Sequence, residues 1–346
     1  MKLLIYTDPH FCERSSIINK VGTKYTLRLE NQIASINWAE DLAYKRGCQY
    51  VICAGDFFDK PNLTQQELTA LTDIKWAPLC AHYFLVGNHE SEENDLHYNS
   101  TQALRDDHKD TFIISEPHVF DEGSFELAFL PYIVESNKRP LKDYFPPLGE
   151  KPRILISHND ILGIQLGPVV STVGFSTDEL EQYCTCCFNG HLHNGQKASS
   201  RVLNLGNLTG KDFGEDAYRY PHRVAIVDTD TFKVEFVENP YAFNFYKIEI
   251  NEDSDLAKLK GLKPNAVVQV KCWARYAEQV RKIISDNTEG TIIESRIIIM
   301  HELNGDVTEC DITDLTVDQY AKFMEFCKAK LEQSQILDEE LAEILK

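Results

Sequence analysis

Five short segments rich in hard metal ligands recur along the first two hundred residues, each directly after an apolar run of strand length. They are Asp8-Pro9-His10 after 3–6, Gly55-Asp56 after 50–54, Gly87-Asn88-His89-Glu90 after 83–86, Ser157-His158 after 154–156, and Gly190-His191-Leu192-His193 after 185–188. Strand ends of an α/β sheet are where loops can aim side chains into one crevice. The glycines let the backbone turn sharply enough to do so. Between the first two runs, Leu29, Ile33, Ile36 and Ala43 mark one face of a helix that Gly47 ends. Further strand-like runs at 127–130, 202–205 and 223–227 complete an α/β layered pattern.

Carboxylate, amide and imidazole donors together suit borderline divalent ions such as Mn²⁺, Fe²⁺ or Zn²⁺. The inventory is Asp8, His10, Asp56, Asn88, His158, His191 and His193. Two ions need about seven or eight ligand bonds, and this set closes if Asp56 bridges. A lone Asp-x-His or Gly-Asp arises often by chance, and a lone strand-end histidine is usually a satisfied loop residue. Five such pieces in register with five strands are not accounted for that way. His89, next to Asn88, is the candidate to stabilise a transition state or protonate a leaving oxygen, against the plainer role of bonding its own loop. Cys184, Cys186 and Cys187 form a tight cluster but have no second Cys or His pair at finger spacing, which favours buried strand residues over zinc ligands.

The amino-terminal apolar run ends at Asp8 and is too short for a signal peptide, and no apolar stretch reaches the ~18 residues that span a bilayer. With ten cysteines scattered through the chain, a reducing cytoplasm is the expected compartment. The 54 acidic against 35 basic residues, a net charge of −19, argue against a protein held to nucleic acid by bulk electrostatics. Either the substrate is small, or basic residues act locally, or a partner helps to hold it.

The 346 residues predict a large domain over 1–240 and a smaller α+β unit over 241–300, with strands at 266–270 and 291–300 around a helix at 276–284. Residues 301–315, rich in Asp and Glu and free of Lys and Arg, read as an acidic linker. A helical segment over 316–346 follows, opening on a Thr316/Gln319 capping box. Its stripes, Val317, Tyr320, Met324 and Leu331 and then Leu337, Leu341 and Ile344, suit either the protein's own core or a docked partner.

As an ordered series, Asp8-x-His10, Gly55-Asp56, Gly87-Asn88-His89, His158 and Gly190-His191-x-His193 resemble the calcineurin-like metallophosphoesterase superfamily over nearly all of the first 200 residues. That resemblance implies a two-layered β-sandwich flanked by helices, with two metals at one edge. Asp8, His10, Asp56 and His193 would hold the first, and Asp56, Asn88, His158 and His191 the second. Within the superfamily, Gly55-Asp56-Phe57-Phe58-Asp59, the chain length and the carboxy-terminal helices are similar to SbcD-type DNA exonuclease subunits of bacteria and phages. The implied activity is hydrolysis at DNA ends in recombination and repair by a hydroxide activated between two ions, Mn²⁺ foremost, with Mg²⁺, Fe²⁺ or Zn²⁺ as alternatives. The implied partners are DNA, an SbcC-type coiled-coil ATPase and a second copy of the chain, paired through helices at 64–74 and 96–105.

The pattern departs at Asp59, where archaeal and eukaryotic relatives carry a histidine, and in the long segment 11–26 with Arg14, Lys20 and Lys24. Arg14, Lys24 and Asp59 are therefore candidate substrate contacts only. Protein phosphatases share Gly87-Asn88-His89-Glu90 but would need Asp-Arg-Gly where Asp59-Lys60-Pro61 stands. The alternative function is a phosphatase or small phosphodiesterase acting on a nucleotide or phosphoprotein.

Overall fold

The computed structural model describes residues 1–92, 95–105, 110–166, 169–287, 291–303 and 306–311. The chain divides into two compact units at Phe245/Tyr246, five residues beyond the expected boundary. The first unit begins with β1 (Lys2–Tyr6), α1 (Leu27–Arg46), β2 (Tyr50–Cys53), α2 (Gln65–Leu71), β3 (Ala81–Leu85) and β4 (Thr111–Ile114). Next come β5 (His118–Asp121), β6 (Glu126–Leu130), β7 (Arg153–Ser157), the short β8 (Gln165–Leu166) and β9 (Val169–Val170), and α3 (Thr177–Tyr183). It closes with β10 (Cys186–Asn189), β11 (Gln196–Lys197), β12 (Val202–Asn204), β13 (Arg223–Asp228) and β14 (Val234–Glu238).

These strands form two six-stranded sheets, in the orders β14-β13-β1-β2-β3-β4 and β11-β12-β10-β7-β6-β5. Alternation along β1 explains the layering. Leu3 and Ile5 pack with Leu127, Phe129, Ile154 and Phe188 of the other sheet. Leu4 and Tyr6, on the opposite face, pack with Leu29 and Ile36 of α1. Both faces of the central strands are buried, so they read as continuous apolar runs rather than alternating ones. Each such side chain contributes about 1.5–3 kcal/mol on burial. The architecture is the helix-flanked two-layered sandwich that the motif series implies.

Helix α1 starts where the Thr26 side chain accepts from Leu29 N and stops at Gly47, whose φ of 66° is the left-handed cap conformation that glycine adopts without strain. The helix also buries Arg28, Asn31, Gln32, Ser35 and Glu40. Three of these serve loops, contacts that apolar spacing does not record: Arg28 donates to Gly210 O, Asn31 Nδ2 to Tyr241 O at 2.6 Å and Gln32 Nε2 to Pro9 O at 3.0 Å. Of the two helices implied for a dimer, the first is α2; the stretch at 96–105 contains only a 3₁₀ turn, Ser100–Leu104.

The second unit's sheet is formed by β15 (Asn244–Ile250), whose first two residues precede the boundary, β16 (Ala266–Trp273), β17 (Ile292–Leu303) and β18 (Asp306–Asp311), with α4 (Ala277–Asn287) between β16 and β17 in the chain. The expected acidic linker is corrected here. Its first part, through Asp311, continues β17 and returns as β18, antiparallel from Leu303↔Asp306 to Ile298↔Asp311. Charge count outweighed the β-branched Val307 and Thr308, and an edge strand tolerates acidic residues that a central one would not. Residues 312–346, with the expected carboxy-terminal helices, lie outside the described residues. No helix among the described residues is long and apolar enough to cross a membrane.

Candidate active site

The ligand-bearing loops are held to one another by their backbones. Beyond the end of the β1/β2 pairing, Asp8 N donates to Gly55 O at 3.1 Å, His10 N to Asp56 O at 3.1 Å and Phe11 N to Phe57 O at 2.7 Å. In the second sheet His158 N donates to Leu130 O at 3.1 Å and Gly190 N to Ser157 O at 2.8 Å. The buried Gln32 of α1 donates from Nε2 to Pro9 O at 3.0 Å and accepts from Cys12 N at 3.1 Å.

Four of the seven candidate ligands sit in the left-handed region: Asp8 at φ 51°, His10 at 48°, Asp56 at 49° and His191 at 74°. Such strain costs of order 1–3 kcal/mol per residue and persists only where surrounding bonds fix it. Two motif glycines make the space. A Cβ at Gly55 would overlap the His158 ring, and one at Gly87 the Asp56 carboxylate.

The seven side chains converge as two groups. Asp8, His10 and His193 bring ligand atoms within 4.8 Å of one another, as do Asp56, His158 and His191. In the first group, His10 Nε2 lies 2.9 Å from His193 Nε2 and 3.7 Å from Asp8 Oδ1. Among the described residues, Asp8 Oδ1 is buried with no hydrogen-bond partner. An orphaned carboxylate oxygen beside two facing imidazole nitrogens is costly without a cation and satisfied by one. In the second group, His158 Nε2 lies 3.2 Å from Asp56 Oδ2, while Asn88 Oδ1 is 3.3 Å from His158 Nε2 and 2.9 Å from His191 Nδ1. Asp56 Oδ2 is also 4.0 Å from His10 Nε2, so this carboxylate stands between the groups.

The electrostatics agree with a donor set made for cations. Burial works to raise the Asp56 carboxyl, yet His158 and His10 hold it well below the usual range. Burial works to lower His158, but Asp56 and Asp8 push it up to about 10. Those carboxylates demand positive charge at this spot, which a divalent ion supplies. Burial lowers His10 to about 4, which keeps it in the neutral form that a ligand needs.

Several further residues support the cluster. His158 Nδ1 faces Ala54 O at 2.8 Å and His193 Nδ1 faces Glu215 Oε1 at 3.1 Å, partners that leave each Nε2 toward the cluster. Glu215 also accepts from Asn207 Nδ2 at 2.7 Å and from Lys211 N. Asp160 Oδ1 lies 3.4 Å from His191 Nε2. Glu90, fully buried, accepts from Gly87 N at 2.7 Å and Phe58 N at 3.1 Å and so ties the second motif to the third. Glu90 was legible in part, because it follows Gly87-Asn88-His89 directly. Glu215 was not, since nothing in its spacing links it to His193.

The Glu215→Gln variant is expected to keep the fold but to weaken Mn²⁺ binding about 10–100-fold, as orienting partners of ligating histidines generally do. Calorimetric titration measures it, and native affinity would reduce Glu215 to a loop contact.

His89 Nδ1 lies 3.1 Å from Asp59 O and 3.3 Å from Asp59 Oδ1. Asp59 Oδ1 also faces His10 Nδ1 at 3.0 Å and Lys211 Nζ at 2.6 Å, which places this candidate substrate contact as an anchor of three side chains. Lys24 is exposed and paired with Asp73 at 2.7 Å, and the exposed Arg14 lies beside Glu13 at 3.7 Å. Neither is brought into the cluster.

Comparison with known proteins matches residues 1–195 to the family model for calcineurin-like phosphoesterases. A protein of Invertebrate iridescent virus 6 named as a candidate phosphoesterase, 244L, is 24% identical over 141 residues, 40% of this chain and 49% of that one. The chain thus spans about half the length of that relative. Among solved structures, TT1561 of Thermus thermophilus is similar with a TM-score of 0.41 at 12% identity, over 68% of this chain and 98% of that one. A dimetal phosphatase from Danio rerio gives 0.36 at 14%, over 69% and 98%.

Proposed function

The chain belongs to the calcineurin-like phosphoesterase family of metal-dependent phosphoester hydrolases, and on that footing we propose that it is a DNA nuclease hydrolysing phosphodiesters at DNA ends. The observation that carries hydrolysis is the place of Asp56 Oδ2, 3.2 Å from His158 Nε2 and 4.0 Å from His10 Nε2, between two donor groups. Asp8, His10, Asp56 and His193 would hold one ion, and Asp56, Asn88, His158 and His191 the other. Divalent ions held there, Mn²⁺ foremost, would supply Lewis acidity toward a phosphodiester and acidify water. The protein's own part falls to His89. Its Nδ1 is committed to Asp59, which leaves Nε2, without a protein partner among the described residues, to hold or deliver a proton at the leaving oxygen.

Support for DNA over a small phosphoester comes from the second-motif segment Gly55-Asp56-Phe57-Phe58-Asp59 and from the added α/β unit after 245. The assay is Mn²⁺-dependent hydrolysis of duplex DNA and bis(p-nitrophenyl) phosphate beside p-nitrophenyl phosphate. DNA and the diester should turn over at least about tenfold faster than the monoester, and faster monoester cleavage would favour a phosphatase.

The net charge of −19 supports a second component that holds the DNA, proposed as a coiled-coil ATPase docked on residues 316–346. Deleting those residues should abolish co-purification with such an ATPase and leave diester hydrolysis intact, because all seven ligands precede residue 194. A truncated protein that loses its thermal transition would assign the stripes to its own core.

A further inference from the structure

We propose that Lys211, which lies beyond the five motifs and the stretch matched to the family, is a substrate-binding residue that contacts a non-bridging phosphate oxygen. It deepens the phosphoesterase reading and rests on it. The loop from Gly210 to Glu215 is a built wall of the site. The buried Arg28 guanidinium donates to Gly210 O, Gly210 N donates to Phe243 O at 3.0 Å, and Lys211 N donates to the Glu215 carboxylate at 3.0 Å. The same carboxylate orients His193, so the loop that fixes a candidate ligand also fixes Lys211.

From that fixed backbone the ammonium reaches Asp59 Oδ1 at 2.6 Å and comes within 3.3 Å of His10 Nδ1. His10 Nδ1 itself faces Asp59 Oδ1 at 3.0 Å and donates there when Nε2 serves as the ligand atom, so it offers Lys211 no lone pair. The ammonium therefore spends one of its three N–H donors on Asp59 and has no second acceptor among the described residues, while its side chain keeps 21% exposure. A cation with two spare donors, fixed beside His10 at the rim of the ligand cluster, suits the anionic oxygens of a phosphate that sits there. His89, held by the same Asp59 at 3.3 Å, places the proposed proton donor beside the proposed phosphate contact.

The experiment compares wild type with Lys211→Met, Lys211→Gln and Lys211→Arg, each loaded with Mn²⁺. Metal content, calorimetric binding of inorganic phosphate, and kcat and KM on bis(p-nitrophenyl) phosphate are measured. The neutral variants should keep two Mn²⁺ per chain, bind phosphate about tenfold or more weakly and raise KM in step, with Lys211→Arg restoring most of the affinity. Unchanged phosphate affinity, or loss of a metal in the neutral variants, would overturn the proposal and leave Lys211 as a counter-ion for Asp59. The phosphate titration is independent of DNA cleavage, so a chain that ignores DNA yet loses phosphate affinity sinks the nuclease reading alone.

Discussion

Asp56→Asn is expected to remove both Mn²⁺ binding events and to lower turnover by at least about 10³-fold. Two divalent ions a few ångströms apart repel strongly, and a shared carboxylate is what offsets that repulsion. Asp56 Oδ2 is the carboxylate oxygen near both groups, and the flanking histidines hold it charged against complete burial. The amide keeps size and shape but loses that charge. By contrast, His158→Ala should lose one binding event, because His158 belongs to one group only. Two sites of near-native affinity in the Asp56→Asn protein would show that Asp56 does not bridge.

The second large effect is on chemistry alone. His89→Ala should retain two Mn²⁺ per chain and lose about 10²–10⁴-fold in kcat, the usual contribution of a positioned proton donor. The neighbouring Asn88 oxygen faces His158 and His191, whereas the His89 ring is turned to Asp59 and stands edge-on to His10 at 4.8 Å. Metal content and hydrolysis are read on one sample, and parallel loss of a metal would move His89 into the ligand set.

The convergence of the seven candidate side chains was legible in the sequence because each follows a strand, and parallel neighbours such as β1 and β2, or β7 and β10, bring their carboxyl ends to one edge. Local spacing records that arrangement. It does not record partners that arrive from distant loops: Glu215 for His193, Asp160 for His191, and Lys211 for Asp59 were found only once the chain was folded. Conversely, Arg14 and Lys24 drew notice for their charge near the first motif, yet Lys24 is turned to Asp73 on the surface. Charge in a loop states no direction. The stretch through Asp311 taught the same lesson about backbone, since acidic composition suggested a linker where hydrogen bonding to β17 makes a strand. Of the cysteine cluster, expected as buried strand residues, Cys187 lies buried in β10, Cys186 is half-buried in the same strand and Cys184 is buried just before it, at the end of α3.

The most direct test of the two-ion account is anomalous scattering from crystals soaked in Mn²⁺. Two peaks are predicted about 3.5–4 Å apart, one bounded by Asp8, His10 and His193 and the other by Asn88, His158 and His191, with the Asp56 carboxylate between them. A single peak, or a peak enclosed by His10, Asp59 and His89 in place of either, would contradict it.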